Sequence, residues 1–273
     1  MNISKLNIIA ATNFTPASEH AYQFAKHMMA TQEAHFTLLH AYQAVSPTTT
    51  LTASPTPIVP PEHYEKDLKQ RLHQEAERLR LDPKESTYFD CGSLAEVIKR
   101  YEEVTKPDLV VLGAREKGTV ERMMTNTHTL SLLEEIDTPI LSIPKEATQP
   151  IISKITLVAE DQEMLTPERL NKLKAIFGTH MPQVALVCVE EVSKTKLVEA
   201  GLDIQYYTKP VAPTQVLDTV EESPFDTAKE QILRSKPDLI VTLLKTPNFA
   251  EKIFKNSLMD KLIYQDNLPI ILM

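Results

Sequence analysis

Glycine is the residue that this 273-residue chain has least of relative to ordinary proteins. It has 5 glycines against 19 prolines, whereas average usage would give about 7% glycine. A function that needs a glycine-rich loop therefore has few residues to build one. There is no tryptophan, and the two cysteines, Cys91 and Cys188, lie in different halves without metal-type spacing. This pattern predicts a reduced, cytoplasmic protein with no disulfide framework and no metal site.

Long apolar runs and excess positive charge are also missing. No apolar run approaches the roughly 20 residues that span a bilayer, and the N-terminus, Met-Asn-Ile-Ser-Lys-Leu, lacks the pattern of a secretory signal. The net charge of −8 argues against nucleic acid or an anionic membrane as the main partner. A composition of 42% hydrophobic and 24% charged residues is that of an ordinary globular protein.

An internal repeat is the strongest pattern in the sequence. "KPDLVVLGA" at 106–114 recurs as "KPDLIVTLL" at 236–244, 130 residues later. Repeats of a solenoid are only about 20–50 residues long, so this spacing indicates two copies of a whole domain. We predict domains at 1–146 and 150–273, the second degenerate.

The offset between the copies changes along the chain. "KLNIIAAT" at 5–12 resembles "KITLVAED" at 154–161 with an offset of 149, and "HFTLLHAY" at 35–42 corresponds to "QVALVCVE" at 183–190 with an offset of 148. The second copy is therefore shorter than the first by 18 or 19 residues, and the difference falls around its second helix.

Strands and helices alternate in the first half. Thr15 and Pro16 have the residue types of a helix start, and near-continuous apolar strands predict a parallel sheet covered on both faces. The expected strands are 6–11, 35–42, 86–90, 109–112 and 140–143, and the expected helical core residues include Ala21, Phe24, Ala25, Met28, Tyr64, Leu68, Leu72, Ala76, Leu79, Leu94, Val97, Ile98, Tyr101, Leu130, Leu133 and Ile136.

The second half repeats this order less clearly. Leu170, Leu173 and Ile176 lie at helical spacing and predict its first helix. Its third strand is either "DIQYYTK" at 203–209 or "TQVLDTV" at 214–220. The offset of 130 favours the second of these.

Four segments carry a resemblance to a known family. "NIIAATNFTPASEHAYQFAKHMMA", "FTLLHAY", "PDLVVLGA" and "DTPILSIP" together resemble the universal stress protein family, in order and spacing, over most of residues 5–144. The resemblance implies an α/β fold with two tandem open parallel-sheet domains of the Rossmann-like, nucleotide-binding type, five strands each. It also implies cytoplasmic residence, a role in stress response and pairing of domains through the last strand. It leaves open whether whole chains form a homodimer, and it names no protein partner.

Many members of that family bind ATP, and the resemblance places the nucleotide in the first domain. Asn13 stands where the family has an aspartate after the first strand, Ala41 where the adenine meets the backbone, and Gly113 at the first glycine of the phosphate turn. Glu116 replaces the second glycine. The remaining residues that the resemblance places near the phosphates are Arg115, Gly118, Asn126, which replaces the third glycine, and Thr127, which fits the hydroxyl.

The substitutions weaken this turn on physical grounds. Residues without a Cβ let backbone N–H groups approach a phosphate, and a carboxylate at Glu116 would repel it. In the second half Leu243, Thr246, Asn256 and Ser257 occupy the motif positions, with no glycine. The two acids Glu160 and Asp161 follow its first strand, where the family has one acid.

Two main hypotheses and one further alternative follow. The first is a binding or regulatory protein of the stress response with a degenerate nucleotide site, in which the sequence shows no catalytic residues. The second is an ATP-binding switch or weak ATPase that uses the first domain. A third is a small apolar or anionic ligand held under the proline- and threonine-rich loop at 43–61. No histidine spacing of the HExxH kind is present, and His40, at the end of a strand, lies beside the candidate nucleotide site.

Overall fold

Ten strands of the described chain form one mostly parallel sheet. The computed structural model describes residues 5–43, 61–114, 132, 135–148, 150–188, 204–208, 230–232, 234–244 and 268–273. The strands are β1 (Leu6–Ala11), β2 (Ala34–Tyr42), β3 (Ser86–Cys91), β4 (Leu109–Ala114), β5 (Ile140–Pro144), β6 (Lys154–Ala159), β7 (Gln183–Cys188), β8 (Ile204–Thr208), β9 (Leu239–Leu243) and β10 (Ile270–Leu272).

The first helix begins where the sequence predicts, at Thr15 and Pro16. Thr15 caps the first helix, Ser93 the third and Thr166 the fourth, each with its side-chain oxygen accepting a backbone N–H of the first turn. The helices are α1 (Pro16–Met28), α2 (Pro61–Arg78), α3 (Leu94–Thr105) and α4 (Pro167–Phe177), with a short 3₁₀ turn at Gln162–Met164. Among the helices that the structure describes, none is long and apolar enough to cross a membrane.

The strand order is β3-β2-β1-β4-β5-β10-β9-β6-β7-β8. Neighbouring strands pair in parallel except β5 and β10, which are antiparallel and meet at the middle of the sheet. Read inward from either edge of the sheet, each half has the same strand order: its third strand, then its second, first, fourth and fifth. Because chain order reverses between β1 and β4, each carboxyl edge there is a topological switch point.

The larger hydrophobic core lies on one face of the sheet and crosses the central β5–β10 junction. It joins α1 and α2 to α4, so that apolar residues of both halves belong to one cluster. A smaller cluster covers the other face of the first five strands and includes Val97 and Ile98 of α3. On the first face, the side chain of Gln32 donates a hydrogen bond of 2.6 Å to the carbonyl of Ile176 near the end of α4, which ties the two halves together locally.

The repeated "KPDL" segment has the same structural task in both halves. Asp108 accepts the backbone N–H of Asn7 at 2.8 Å and donates its own N–H to the Asn7 carbonyl at 2.7 Å. Asp238 does the same for Lys154, at 2.9 and 2.8 Å. Each aspartate therefore fixes the start of its own strand against the first strand of its half.

The preceding lysines complete this structure. Lys106 has φ of 46° and Lys236 has φ of 47°, so both occupy the left-handed region that commonly ends a helix. Lys106 caps α3 by donating its N–H to the Glu102 carbonyl at 3.2 Å. The segment is thus repeated because it makes a turn and a strand start, independently of any ligand.

The predicted strands of the first half are confirmed, and four of them, β2 to β5, run one or two residues beyond the expected bounds. The described helical core residues are buried or partly buried except Tyr64, which is exposed, so that prediction is wrong. Leu130 and Leu133 of the predicted last helix lie outside the described residues, and Ile136 is buried. The fourth strand was expected to end at Leu112, but β4 continues to Ala114. Gly113 is therefore a strand residue that pairs with Ile143 of β5, and not part of the turn that follows.

Two predictions for the second half are wrong. The hydrogen bonds of Asp108 and Asp238 align Asn7 with Lys154, so the offset of the first strands is 147 and not 149. The third strand is Ile204–Thr208, within the segment that the offset of 130 disfavoured. That strand pairs with β7 after only 15 connecting residues, compared with 43 between β2 and β3. The copies therefore differ in both crossover connections, which no single offset describes.

Candidate functional site

The candidate site lies at the carboxyl edge of the sheet, at the switch point between β1 and β4. Ligands of open α/β sheets bind in the crevice at such a point, because the connections leave the edge in opposite directions. Asn13 follows β1, Gly113 lies near the end of β4, and Ala41 is the penultimate residue of β2. These three of the seven predicted nucleotide-site residues thus share the carboxyl edge.

Gly113 is required by the packing of α1 against β4. A Cβ at this position would lie 2.5 Å from the carbonyl carbon of Ala17 and 2.8 Å from the nitrogen of Ser18, and nearer still to the Ala17 carbonyl oxygen. All of these atoms are backbone atoms of the first turn of α1, so no flexible side chain can move aside. The absent side chain therefore lets helix backbone approach strand backbone, a reason for glycine that involves no phosphate.

Asn13 is exposed in the β1–α1 connection and points its amide away from the core. Its Oδ1 accepts a hydrogen bond of 2.5 Å from the hydroxyl of Thr15. The connection is held from within by Thr12, whose Oγ1 accepts the N–H of Phe14 at 3.0 Å and lies 3.2 Å from the hydroxyl of Ser18. Asn13 is thus presented on an ordered loop and brings no charge to a ligand.

Ala41 and Gly113 lie on opposite faces of the sheet. Ala41 packs against the cluster on the α3 face, whereas the missing side chain of Gly113 faces α1. A ligand that touches both would have to cross the edge of the sheet between β2 and β4. The other predicted site residues lie outside the described residues: Arg115, Gly118, Asn126 and Thr127.

The second half replaces the glycine by a packed side chain. Leu243 is 0% exposed and belongs to the large core cluster. The connection before α4 leaves room for it, because Thr166 follows Lys154 by twelve residues whereas Thr15 follows Asn7 by eight. The helix of the second half therefore begins later, and a leucine packed in the core stands at the position of Gly113.

The acids of the second half also have a structural task. Asp161 is 8% exposed, and its Oδ1 accepts the N–H groups of Glu163 and Met164 at 2.8 and 3.2 Å. It therefore caps the 3₁₀ turn of the longer connection. The hydrogen-bond register aligns Asn13 with Glu160 rather than with Asp161, so the expected match of an acid to the family position does not hold at Asp161.

An aromatic row beside the switch point was not predicted from the sequence. The rings of Phe14 and His40 lie 4.3 Å apart, His40 lies 6.0 Å from Phe89, and Phe89 stacks on Tyr42 at 4.6 Å. The guanidinium of Arg71, on α2, lies 4.5 Å from the centre of the Phe14 ring. The row covers the carboxyl ends of β1, β2 and β3 on the α2 side.

His40 is a half-buried ring within this row. Its Nδ1 lies 2.8 Å from the carbonyl of Thr12, which fits an Nδ1–H donor. Burial lowers the pKa of His40 below its ordinary value, the hydrogen bond to Thr12 opposes this shift, and the nearby charge of Arg71 lowers the pKa further. The sequence singled out His40, but its neighbours come from three separate segments: the β1–α1 connection, strand β3 and helix α2.

Phe14 has an unusual backbone conformation for a bulky residue. Its φ is 60°, in the left-handed region that non-glycine residues seldom occupy. The hydrogen bond from its N–H to Thr12 stabilises this conformation. Phe14 follows β1, and His40 and Phe89 lie near the ends of β2 and β3, so all three are at the carboxyl edge. This shared position near strand ends is the sequence feature from which their proximity could have been predicted.

The described residues contain no group of three or more histidine, cysteine, aspartate or glutamate side chains that could hold a metal ion.

Comparisons with known proteins agree with the fold. The model of the universal stress protein family matches residues 6–144. No curated protein sequence gives a significant match to the chain.

Solved structures similar to this chain extend the likeness to its whole length. A universal stress protein from Archaeoglobus fulgidus DSM 4304 is 11% identical, with a TM-score of 0.62 over 97% of this chain and 95% of that one. A putative universal stress protein from Pseudomonas aeruginosa UCBPP-PA14 is 10% identical, with a TM-score of 0.56 over 99% of this chain and 94% of that one. At these identities the likeness shows a shared α/β fold.

Proposed function

This chain belongs to the universal stress protein family, and from that premise we propose that it is a stress-response binding or regulatory protein with a degenerate nucleotide site. The observation that carries the proposal is the packing of Gly113. That glycine is the one phosphate-turn glycine of the family pattern that the sequence retains, and the close approach of Ala17 and Ser18 accounts for it. A glycine needed by the fold is no sign of a ligand, so the remaining argument for a phosphate turn is weak.

A tandem arrangement is part of the proposal. Two copies at 1–146 and 150–273 pair within one chain, and further pairing of whole chains is left open. Support comes from the common strand order of the two halves and from the matching aspartate contacts at Asp108 and Asp238. The β5–β10 pairing is the intramolecular contact through which the copies associate. Cytoplasmic residence belongs to the same proposal and rests on the family.

A second candidate function is an ATP-binding switch or weak ATPase in the first half. The observation in its favour is the exposed Asn13, presented by an ordered connection at the switch point between β1 and β4. An asparagine side chain can hydrogen-bond an adenosine without bringing charge. In this reading ATP is the ligand, and Arg115, Gly118, Asn126 and Thr127 would contact its phosphates.

A thermal-shift titration with Mg-ATP separates the two candidates. Binding with a dissociation constant of ~10 µM at ~1 mM ligand would stabilise the fold by about 2.7 kcal/mol, a rise of several degrees in Tm. The degenerate-site proposal expects no such rise, with magnesium chloride alone as the control. A rise of that size would contradict it and favour the ATP switch.

A further inference from the structure

Arg71 is a cation without a carboxylate partner in the part of the chain that the structure describes. Sequence spacing offers two, because Asp67 lies one turn earlier on α2 and Glu75 one turn later. Glu75 instead pairs with Arg78 at 2.8 Å, and Arg78 also pairs with Glu19 of α1 at 2.6 Å. Two cations on the α1-facing side of the same helix are therefore treated differently: Arg78 is neutralised twice, and Arg71 only stacks on Phe14.

The stacking surface under Arg71 is fixed in advance. Phe14 is held at positive φ by the Thr12 hydroxyl, and its other neighbour is the ring of His40 at 4.3 Å. Non-glycine residues held in this region store strain, and such positions cluster at functional sites. A guanidinium on a fixed aromatic ring loses less rotational freedom when it binds an anion.

Position adds a third argument. Phe14 directly follows Asn13, so Arg71 lies at the carboxyl edge beside the switch point, where open α/β sheets bind ligands. It approaches that edge from the α2 side, whereas Ala41 faces the α3 side. The place is therefore on the other face of the sheet from Ala41, the position that the family pattern assigns to the adenine.

We propose that Arg71, stacked on Phe14, is an anion-binding site for the phosphate group of a small molecule at the carboxyl edge of β1 and β2. A guanidinium presents paired N–H donors that match two phosphate oxygens. With no other cation committed to the site, we expect an affinity for a free phosphate in the millimolar range. The site does not depend on the glycine turn, so it can exist whether or not ATP binds there.

Inorganic phosphate is the probe, and His40 is the reporter. The full-length protein, labelled with nitrogen-15 in histidine, is titrated with phosphate at constant pH and ionic strength while the ring signals of His40 are followed by NMR. Because Arg71 acts electrostatically on His40, neutralising its charge should shift those signals in a saturable way. Arg71→Gln should weaken the apparent affinity by about tenfold to a hundredfold, the range for hydrogen bonds to a charged group.

A matched variant removes a charge from the same helix away from the aromatic row. Lys66 is exposed on α2, and no described contact joins it to Phe14, His40 or Phe89, so Lys66→Gln should leave the phosphate affinity within twofold. Arg71→Lys should recover part of the binding, because it restores charge without the paired donors. Tm without ligand checks that each variant is folded.

Three results would overturn the proposal. They are no saturable shift in the unmodified protein, an unchanged affinity in Arg71→Gln, and a loss of affinity in Lys66→Gln equal to that in Arg71→Gln. Repeating the titration with pyrophosphate and with adenosine shows which chemical group is recognised. If the phosphate group is recognised, pyrophosphate binds and Arg71→Gln weakens its binding, whereas any binding of adenosine is the same in Arg71→Gln as in the unmodified protein. Binding of adenosine that Arg71→Gln weakens equally would contradict phosphate recognition.

Discussion

Replacing Gly113 by alanine separates the packing of this glycine from any role with a ligand. The added Cβ meets the carbonyl carbon of Ala17 at 2.5 Å and the nitrogen of Ser18 at 2.8 Å, and both distances lie far inside van der Waals contact. Relief requires α1 to move away from β4, which is held by parallel pairing to β1 and β5. Overpacking of this kind costs about 1–3 kcal/mol, and the rigid backbone partners place the expected loss near 3 kcal/mol.

Urea and thermal unfolding of the ligand-free protein measure this loss. For a chain of this size 1 kcal/mol corresponds to about 2–4 °C in Tm, so Gly113→Ala should lower Tm by about 6–12 °C. Leu243→Ala is the matched change in the other half, because Leu243 occupies the corresponding place and is fully buried. Removing its side chain leaves a cavity and should cost about 2–5 kcal/mol.

Gly113→Ala and Leu243→Ala together test whether Gly113 is needed for packing. If Gly113 were needed only for a ligand, the free energy of unfolding of Gly113→Ala would lie within about 0.5 kcal/mol of that of the unmodified protein, the usual range for surface substitutions. That result would contradict the packing account. It would also favour a role for Gly113 in binding a nucleotide.

Three further predictions concern other contacts. Asp238→Ala leaves the N–H groups of Ser153 and Lys154 without their acceptor and should cost about 1–3 kcal/mol in urea unfolding; an unchanged midpoint would contradict its role at the strand start. Burial lowers the pKa of His40 from its ordinary value of 6.5, so the unfolded chain binds a proton at this histidine more readily than the folded chain does. The neutral, packed His40 ring therefore contributes its full stabilisation above pH ~6.5, and this stabilisation is lost as the pH falls below that value. His40→Gln should therefore flatten the stability profile on that acidic side, and an unchanged slope would refute this. Gln32→Ala removes the bond to the α4 end and should cost about 0.5–1.5 kcal/mol by thermal unfolding, whereas no loss would show that the contact is not stabilising.

Local pattern was enough to predict much of the first half. The apolar run of β1, the cap at Thr15 with Pro16 after it, and the helical spacing along α1 and α2 are all properties of neighbouring residues, and the structure has each of them. The alternation of near-continuous apolar strands with helices also predicted that these strands are parallel. Elements whose formation depends on contacts near in sequence were therefore predictable.

Contacts between distant segments were not predictable in the same way. The role of Gly113 depends on the backbone of Ala17, 96 residues earlier, and no periodicity reports how closely a helix approaches a strand. The third strand of the second half was misplaced because a constant offset was assumed, while its position is set by pairing with β7. A duplicated sequence keeps residues that make the fold, and connection lengths change more freely.

The structure explains both what the two "KPDL" segments share and where they differ. Asp108 and Asp238 make equivalent contacts at equivalent strand starts, so selection for the fold alone is sufficient to keep "KPDL" twice. Gly113 and Leu243 differ because the connection to the following helix is four residues longer in the second half. The difference in glycine therefore follows from where each helix begins.

Calorimetric titration of the full-length protein with Mg-ATP measures whether the nucleotide site of the first half is degenerate. We predict no saturable heat that corresponds to a dissociation constant near 10 µM, and at most weak millimolar binding of phosphate groups at Arg71. A dissociation constant of ~10 µM or tighter, lost in a Gly113→Ala variant that is as stable as the unmodified protein, would contradict this prediction. In that case the first half is a working nucleotide site and its glycine is there for the ligand.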